Sequence, residues 1–250
     1  MRTIHAVTAL AVTAALLGGC TSGSSPSPAP ASAAPASNGV ADLSASAILE
    51  RARGALATAT SFRVRGGVFH DAIYDGQGRG EDPQLWSVDV RIAGTDAAGW
   101  TAIGASKQES IIVGDKRYLR ASEQILAQTV GPERARALTR ERGGRWVTLP
   151  RRQRVFGDFV TAAYVDGLIK PKATVTKGAG KVIDGIPAIA VIDSGRTPTT
   201  VYVAITGEPY PVRLERAELE GLSFTEFGVA FPQIQAPPAA DVVGPGKKPA

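Results

Sequence analysis

The feature that most constrains the fold is an alternation of apolar and polar side chains at every second residue, repeated in short segments from residue 61 onward. In the clearest segment, Trp86, Val88, Val90 and Ile92 alternate with polar residues. Such alternation is typical of strands that have one face on a core and the other in water. The 28 Gly and 17 Pro of the chain suit many turns. We therefore predict about ten antiparallel strands that share one apolar face.

Helical spacing of apolar residues occurs in three segments, 42–60, 122–143 and 153–168. Asp42 is expected to cap the first helix, and Gly131-Pro132 is expected to break the second, because proline cannot continue a helix. Glycines at 178–180 and Asp184-Gly185 predict turns between the later strands. Together these elements predict one α+β domain over residues 42–235, in which about three helices cover the apolar face of the sheet.

The first twenty residues indicate export and membrane attachment. An uncharged apolar run at 6–17 follows Arg2, and it is shorter than the ~20 residues that cross a bilayer. Its length is that of a signal-peptide core. The residues 17–20, Leu-Gly-Gly-Cys, resemble the lipobox of bacterial lipoproteins, which implies cleavage after residue 19 and a diacylglycerol group on Cys20. The alternative is a plain secretory signal that contains a cysteine by chance.

Low-complexity segments flank the predicted domain. Residues 20–41 are mostly Ser, Pro, Ala and Gly and carry no charge, so this segment cannot bury enough apolar surface to offset the entropy of ordering. We predict a disordered tether there and a flexible tail at 236–250, which has a similar composition.

Catalytic chemistry finds little support in the composition. The chain has one Cys and two His, His5 and His70, and His5 lies in the predicted leader. Nucleophilic triads and His- or Cys-based metal sites are hard to build from this set. We predict no enzyme activity, no cofactor and no metal site, while hydrolysis by carboxylates alone stays open as an alternative.

Several short motifs are spread over the chain. In chain order they are SFRV at 61–64, VGDKRY at 113–118, RWV at 145–147, DGIPA at 184–188, YPVRL at 210–214, FG at 227–228 and APP at 236–238. With the leader and tether, they resemble actinobacterial lipoproteins of the LolA/LppX-like superfamily. The resemblance implies a strongly curved antiparallel half-barrel with helices on its concave face and an apolar cavity between them. It also implies the binding or carriage of acylated molecules, either lipoproteins or envelope lipids and glycolipids.

Six residues are candidates for the cavity wall or rim. An acyl chain gains ~0.8 kcal/mol per methylene when it enters an apolar site, so large apolar side chains are expected there. The alternative is that the same side chains fill an ordinary core. Arg216 interrupts an apolar face, so it indicates either a β-bulge near Glu215 or a cation at the cavity rim. The candidates are Trp86, Val88, Val90, Trp100, Trp146 and Arg216.

Arginines are concentrated between residues 134 and 154, and the alternatives are a solvated basic surface or contact with anionic lipid, where each cation adds ~1 kcal/mol. Arg151, Arg152 and Arg154 are the candidates for membrane contact. We expect a protein anchored to the cell membrane through Cys20 on its extracytoplasmic side, which binds or carries an acylated ligand. The alternative function is a sensor or interaction lipoprotein that binds an envelope protein. Nucleic acid is not an expected partner despite the net charge of +5.

Overall fold

A computed structural model describes residues 36–69, 85–104, 106–150, 162–196, 198–217 and 220–244. The predicted signal peptide, most of the tether, Cys20, the three membrane-contact candidates Arg151, Arg152 and Arg154, and the first part of the predicted third helix lie outside these residues.

The described residues form one large, open, curved sheet with four α-helices, which agrees with the predicted α+β half-barrel. The sheet has twelve strands in the order β12-β6-β5-β4-β3-β2-β1-β11-β10-β9-β8-β7, so the predicted counts of about ten strands and three helices were low. The strands are β1 (Ser61–Phe69), β2 (Leu85–Ala93), β3 (Asp96–Ile103), β4 (Ser106–Val113), β5 (Lys116–Ala121), β6 (Trp146–Leu149), β7 (Val175–Ile183), β8 (Ile186–Asp193), β9 (Thr199–Ala204), β10 (Pro211–Ala217), β11 (Glu220–Thr225) and β12 (Val242–Val243).

The helices are α1 (Ala45–Thr58), α2 (Glu123–Val130), α3 (Pro132–Arg142) and α4 (Ala162–Ile169). The prediction that Asp42 caps α1 was wrong, because residues 40–42 form a short 3-10 turn with Val40 buried. Ser44 caps the helix instead, and its hydroxyl accepts a hydrogen bond from the Ala47 amide. The predicted break at Gly131-Pro132 is confirmed, since α2 ends before it and Pro132 begins α3.

The core forms where α1 and α4 pack on one face of the sheet, which we call the inner face. Ile48, Leu49 and Leu56 of α1 are buried as their helical spacing predicted. Val165 and Ile169 of α4 join the same cluster, whereas Ala163 of this helix is exposed. The strands contribute mainly valine, leucine and phenylalanine to this cluster, including Phe62, Val64, Trp86, Val88, Val90, Val201, Val203, Leu214, Leu222 and Phe224.

An ion pair ties α4 to α1. The Arg53 guanidinium donates to both carboxylate oxygens of Asp166 at 2.6 and 2.8 Å. These hydrogen bonds, stronger here than the opposing effect of burial, lower the pKa of Asp166. The pair fixes one helix against the other above the sheet.

Glycines permit neighbouring strands to approach closely at two positions of the sheet. A Cβ at Gly99 would overlap the Asp89 carbonyl and lie 2.6 Å from the Val90 Cα, and a Cβ at Gly66 would overlap the Gly221 carbonyl. Glycine inside a strand often marks such a close approach because no side chain blocks the neighbouring backbone. A larger residue at either position would therefore push the paired strands apart.

Two irregularities alter the predicted strands. The turn predicted at 178–180 does not form, because β7 runs through it with a register shift between Lys177 and Gly180. Asp184-Gly185 does make the turn between β7 and β8, with positive φ at both residues. The bulge favoured near Glu215 is confirmed, since the pairing of β10 with β11 shifts register between Glu215 and Ala217.

Ordered structure extends beyond both ends of the predicted domain. Asn38 lies in the predicted tether, yet its side-chain amide donates to the carbonyls of Ala204 and Gly207, both at 3.0 Å. At the other end, β12 pairs in parallel with β6, so the prediction of a flexible tail is wrong for residues 239–243. Backbone pairing with distant strands orders these segments, and such pairing cannot be predicted from their composition.

Candidate functional site

The inner face differs between its two halves. On β1, β9, β10 and β11 the buried inward positions are valine, leucine and phenylalanine. On β3 and β4 several inward positions are small, and we call this group the small-residue floor: Ala97, Gly99 and Thr101 of β3 and Ser110 of β4. Ile112 of β4, which pairs with Ala97, is a large buried side chain at the edge of this group. Because the side chains of the floor are small, they fill less volume next to the sheet than the side chains of the other half.

The register of the strands places the floor beside three predicted cavity residues. Val88 pairs with Thr101 and Val90 pairs with Gly99, so the inward side chains of β2 border the floor directly. Trp86 continues the same inward row of β2 and is buried with the other two. The structure therefore brings together Trp86, Val88 and Val90 in an apolar wall along one side of the floor.

The floor carries two buried hydroxyl groups. Thr101 is 1% exposed and Ser110 is 3% exposed. Neither the Oγ1 atom of Thr101 nor the Oγ atom of Ser110 forms a hydrogen bond within the part of the chain that the structure describes. Their Cα atoms are diagonal neighbours across β3 and β4, which corresponds to a separation of about 7–8 Å.

Helices α2 and α3 lie over the far side of the inner face. Ile125 of α2 is buried, and α2 packs against β4. A cavity of about 40 Å³ lies between these helices and β5–β6, lined in part by Leu119, Leu126, Thr139 and Val147. One water molecule needs about 10–15 Å³ of such space, so this cavity holds a few water molecules and is too small for an acyl chain.

Trp100 and Trp146 lie on the opposite, outer face of the sheet. Thr101 and Val147 point inward, so their neighbours Trp100 and Trp146 must point outward. The expectation that all three tryptophans line one cavity is therefore corrected: Trp86 borders the small-residue floor and the other two do not. Alternation along a strand shows which side chains share a face. Only the pairing of the strands shows which of the two faces is the inner one.

The outward tryptophans belong to a row of charged and aromatic side chains across four strands. The Lys107 Nζ atom lies 5.4 Å from the ring centre of Trp100, and the Arg120 guanidinium lies 4.6 Å from that of Trp146. Glu109 accepts hydrogen bonds from Lys107 at 3.3 Å and from Arg120 at 2.7 Å. Burial by itself would raise the pKa of Glu109, but the hydrogen bonds and charges of Arg120 and Lys107 have the larger effect and lower it.

A second charged group on the outer face is largely buried. The Arg63 guanidinium donates to both oxygens of Asp89 at 2.7 and 2.6 Å and to Glu226 at 2.6 Å. Burial alone would raise the pKa of Asp89, but the hydrogen bonds and charge of Arg63, helped by Arg91 and Arg65, lower it instead. Sequence patterns did not indicate this group, because the partners are distant in the chain.

The remaining candidates occupy separate places. Arg216 lies in the β10 bulge, and a role at a cavity rim stays a prediction. Arg134, Arg136 and Arg140 are exposed on α3, and with Arg142 and Arg145 they form the described part of the predicted basic region. Arg145 donates to the carbonyls of Arg142 and Glu141 and so caps the C-terminal end of α3.

Across the described residues, none of the helices is both long enough and apolar enough to traverse a bilayer. The same residues contain no group of three or more His, Cys, Asp and Glu side chains placed to hold a metal ion.

Comparison with known proteins gives a likeness of fold. No family model matches the chain. No curated protein sequence matches it either. The crystal structure of LprF from Mycobacterium bovis superposes with a TM-score of 0.52 at 14% identity, covering 75% of this chain and 94% of that one. The lipoprotein LppX of Mycobacterium tuberculosis gives a TM-score of 0.40 at 16% identity, covering 72% and 92%. The likeness to LprF supports the predicted half-barrel, and at this identity it concerns the fold alone.

Proposed function

We propose that this protein binds or carries an acylated ligand on the inner face of its half-barrel, over the small-residue floor. The observation that carries the proposal is the change of the inner face at β2–β3, from large aliphatic side chains to Gly99, Thr101 and Ser110 beside an apolar wall. An acyl chain placed there gains ~0.8 kcal/mol for each methylene removed from water. The fold shared with LprF and the resemblance to the LolA/LppX-like superfamily agree with this function.

Substitution of Ser110 by leucine tests the proposed site. If an acyl ligand occupies the space above the floor, Ser110→Leu fills that space, so the variant folds with little change in stability and retains less lipid. Val203→Phe is the matched control, because Val203 lies in the tightly packed half of the inner face and is fully buried. Overpacking a filled core costs ~1–3 kcal/mol, so the control should lose stability.

The measurements are native mass spectrometry of gently purified protein and thermal unfolding. Retention of lipid by the parent chain and its loss in Ser110→Leu support the proposal. A parent chain that carries no lipid and binds none on addition, together with a Ser110→Leu variant destabilised as strongly as Val203→Phe, would show that the protein's own side chains fill the floor. In that case the acyl-binding function is wrong.

We also propose that the domain is held at the extracytoplasmic side of the cell membrane by acylation of Cys20. The support is the sequence alone: an apolar leader, small residues before Cys20 and an uncharged segment after it. Cys20→Ala removes the thiol that would carry diacylglycerol, so the protein should move from the membrane fraction to the medium. Ser22→Ala is the control and should stay in membranes. Membrane retention of Cys20→Ala would contradict the anchor.

The alternative function, binding of an envelope protein, has one feature in its favour. Trp100 and Trp146 stand half-buried on the outer face, away from the core, and each is contacted by a cation. Tryptophan is enriched at the centres of protein interfaces. Trp100→Ala with Trp146→Ala should weaken the association with such a partner and leave lipid content unchanged, which separates the two functions.

A further inference from the structure

The buried polar groups of this domain divide into two classes. Five buried residues in the described ranges are polar or charged. Three have partners: Ser61 donates to the Val229 carbonyl at 2.7 Å, Asp89 accepts from Arg63, and Asp193 accepts from the amides of Lys172 and Gly195. The other two are Thr101 and Ser110, whose hydroxyls have none among the residues described. The hydroxyl of Thr139 on α3 is also buried without a partner there, but it lies beside the small cavity and away from the floor.

An unpaired buried hydroxyl is costly. Leaving a buried donor or acceptor without a partner destabilises a protein by ~1–3 kcal/mol, and native structures hold few such groups. Valine has nearly the shape of threonine and occurs at the equivalent inward positions Val88 and Val90 on the neighbouring strand. Two hydroxyls without protein partners, at diagonally neighbouring positions of the surface proposed to receive a ligand, therefore indicate that the partner comes from that ligand.

Hydroxyl groups fit one kind of partner inside an apolar site. A hydroxyl donates one hydrogen bond and accepts others, so it pairs with a carbonyl oxygen or a second hydroxyl, and no charge is needed. The neighbouring side chains Val88, Val90 and Leu119 are apolar, and the amide of Gln108, which pairs with Thr101, forms no hydrogen bond with either hydroxyl. A hydrocarbon chain cannot hydrogen-bond these hydroxyls. The ester or amide that links an acyl chain to its carrier has a carbonyl oxygen that can accept a hydrogen bond from them.

We propose that Thr101 and Ser110 hydrogen-bond the carbonyl oxygen of an ester- or amide-linked acyl chain, so that the small-residue floor selects acyl esters and amides over ligands with hydrocarbon alone. This inference rests on the proposed acyl binding and names the ligand group that the site recognises. The carbonyl lies over the floor while the hydrocarbon follows the wall of Trp86, Val88 and Val90.

Two probes that differ at one carbonyl test the inference. 1-Monopalmitoylglycerol and 1-O-hexadecylglycerol have the same chain length and head group, but the first is an ester and the second an ether. Both are titrated into the delipidated full chain carrying Cys20→Ala, which removes the protein's own lipid. We expect the parent to bind the ester about three- to tenfold more tightly, the range that one net hydrogen bond gives.

The double variant Thr101→Val with Ser110→Ala should bring the ester-to-ether ratio close to one, with affinity for the ether unchanged or higher. Its melting temperature without ligand should be equal or higher, since two unpaired hydroxyls are gone. Ser61→Ala is the matched control, because that hydroxyl already has a protein partner. It should lower the melting temperature and leave the ratio as in the parent. Should the double variant fail to fold, each single substitution is measured in the same way.

The outcomes separate the inference from the function on which it rests. An ester-to-ether ratio near one in the parent, or a ratio that survives in the double variant, overturns the role of Thr101 and Ser110 and leaves acyl binding intact. A parent that binds neither probe, nor any lipid by mass spectrometry, overturns acyl binding itself.

Discussion

At the scale of single residues, Asp89 is the side chain on which the outer face depends most. Its carboxylate is 8% exposed and holds Arg63 by two hydrogen bonds. Removal of one partner from a buried ion pair leaves an uncompensated charge and costs ~3–5 kcal/mol. Arg63 keeps Glu226, so we expect Asp89→Asn to lower the free energy of unfolding by about 3 kcal/mol, at the low end of that range.

Glu109→Gln is the control for this substitution, since Glu109 also pairs with an arginine on the outer face but is 28% exposed. Exposed pairs contribute up to ~1 kcal/mol, so this variant should stay within that range in urea unfolding. Equal losses in the two variants would contradict the special role of burial at Asp89.

The lowered pKa of Asp89 predicts an acid-dependent part of stability. An unfolded aspartate titrates near pH ~3.9, and in the folded state the pKa lies below that value. The unfolded state therefore binds more protons in this range, and the contribution of Asp89 is complete above pH ~4 and is lost as pH falls through its folded pKa. The stability difference between the parent and Asp89→Asn should shrink below pH ~4. A difference that stays constant would show that Asp89 is not the titrating group.

At the scale of elements, the chain after β11 acts as a strap. It leaves β11 at Thr225, meets β1 through the Ser61–Val229 hydrogen bond, and ends as β12 on the far edge of the sheet beside β6. Phe231 lies under Arg91 of β2 on the way, with 6.0 Å between guanidinium and ring centre. An uncovered sheet edge offers unpaired backbone groups for association, so β12 protects β6.

Truncation tests the strap. A chain that ends after Gln235 loses β12, and we expect the amides of β6 to exchange hydrogen at least about tenfold faster, together with self-association in size-exclusion chromatography. A chain that ends after Gly244 keeps β12 and should behave like the parent. If the amides of β6 exchange hydrogen at the parent's rate in the chain that ends after Gln235, β12 does not protect this edge.

At the scale of the whole molecule, the proposed anchor and the basic surface of α3 favour the same location at an anionic membrane. Each cation near such a surface adds ~1 kcal/mol, and salt screens the attraction. At low salt the Cys20→Ala chain should therefore bind vesicles containing phosphatidylglycerol, and it should lose affinity at least about tenfold when Arg134, Arg136 and Arg140 are changed to Gln. At physiological salt this attraction is screened and does not hold the unacylated chain in the membrane fraction. The affinity is measured by sedimentation of the protein with the vesicles at low and at high salt.

The control for the vesicle experiment removes the same charge elsewhere, by changing Lys170, Lys172 and Lys181 to Gln, all exposed and outside α3. Binding should then stay near that of the parent apart from the small loss expected from net charge. Equal losses in the two triple variants would mean that overall charge, and no particular surface, directs the protein to the vesicle.

The sequence by itself determined the α+β class, most strands, the buried face of α1, the break before α3 and the bulge near Glu215, because these depend on local spacing and on the backbone limits of glycine and proline. It placed Trp100 and Trp146 in a cavity wall, whereas the strand registers place both on the outer face. Strand register decided those orientations, as it decided the meeting of Thr101 with Ser110 and the pairing of β12 with β6. Register arises from contacts between residues far apart in the chain, so only the tertiary structure assembled the floor on which the proposed function depends.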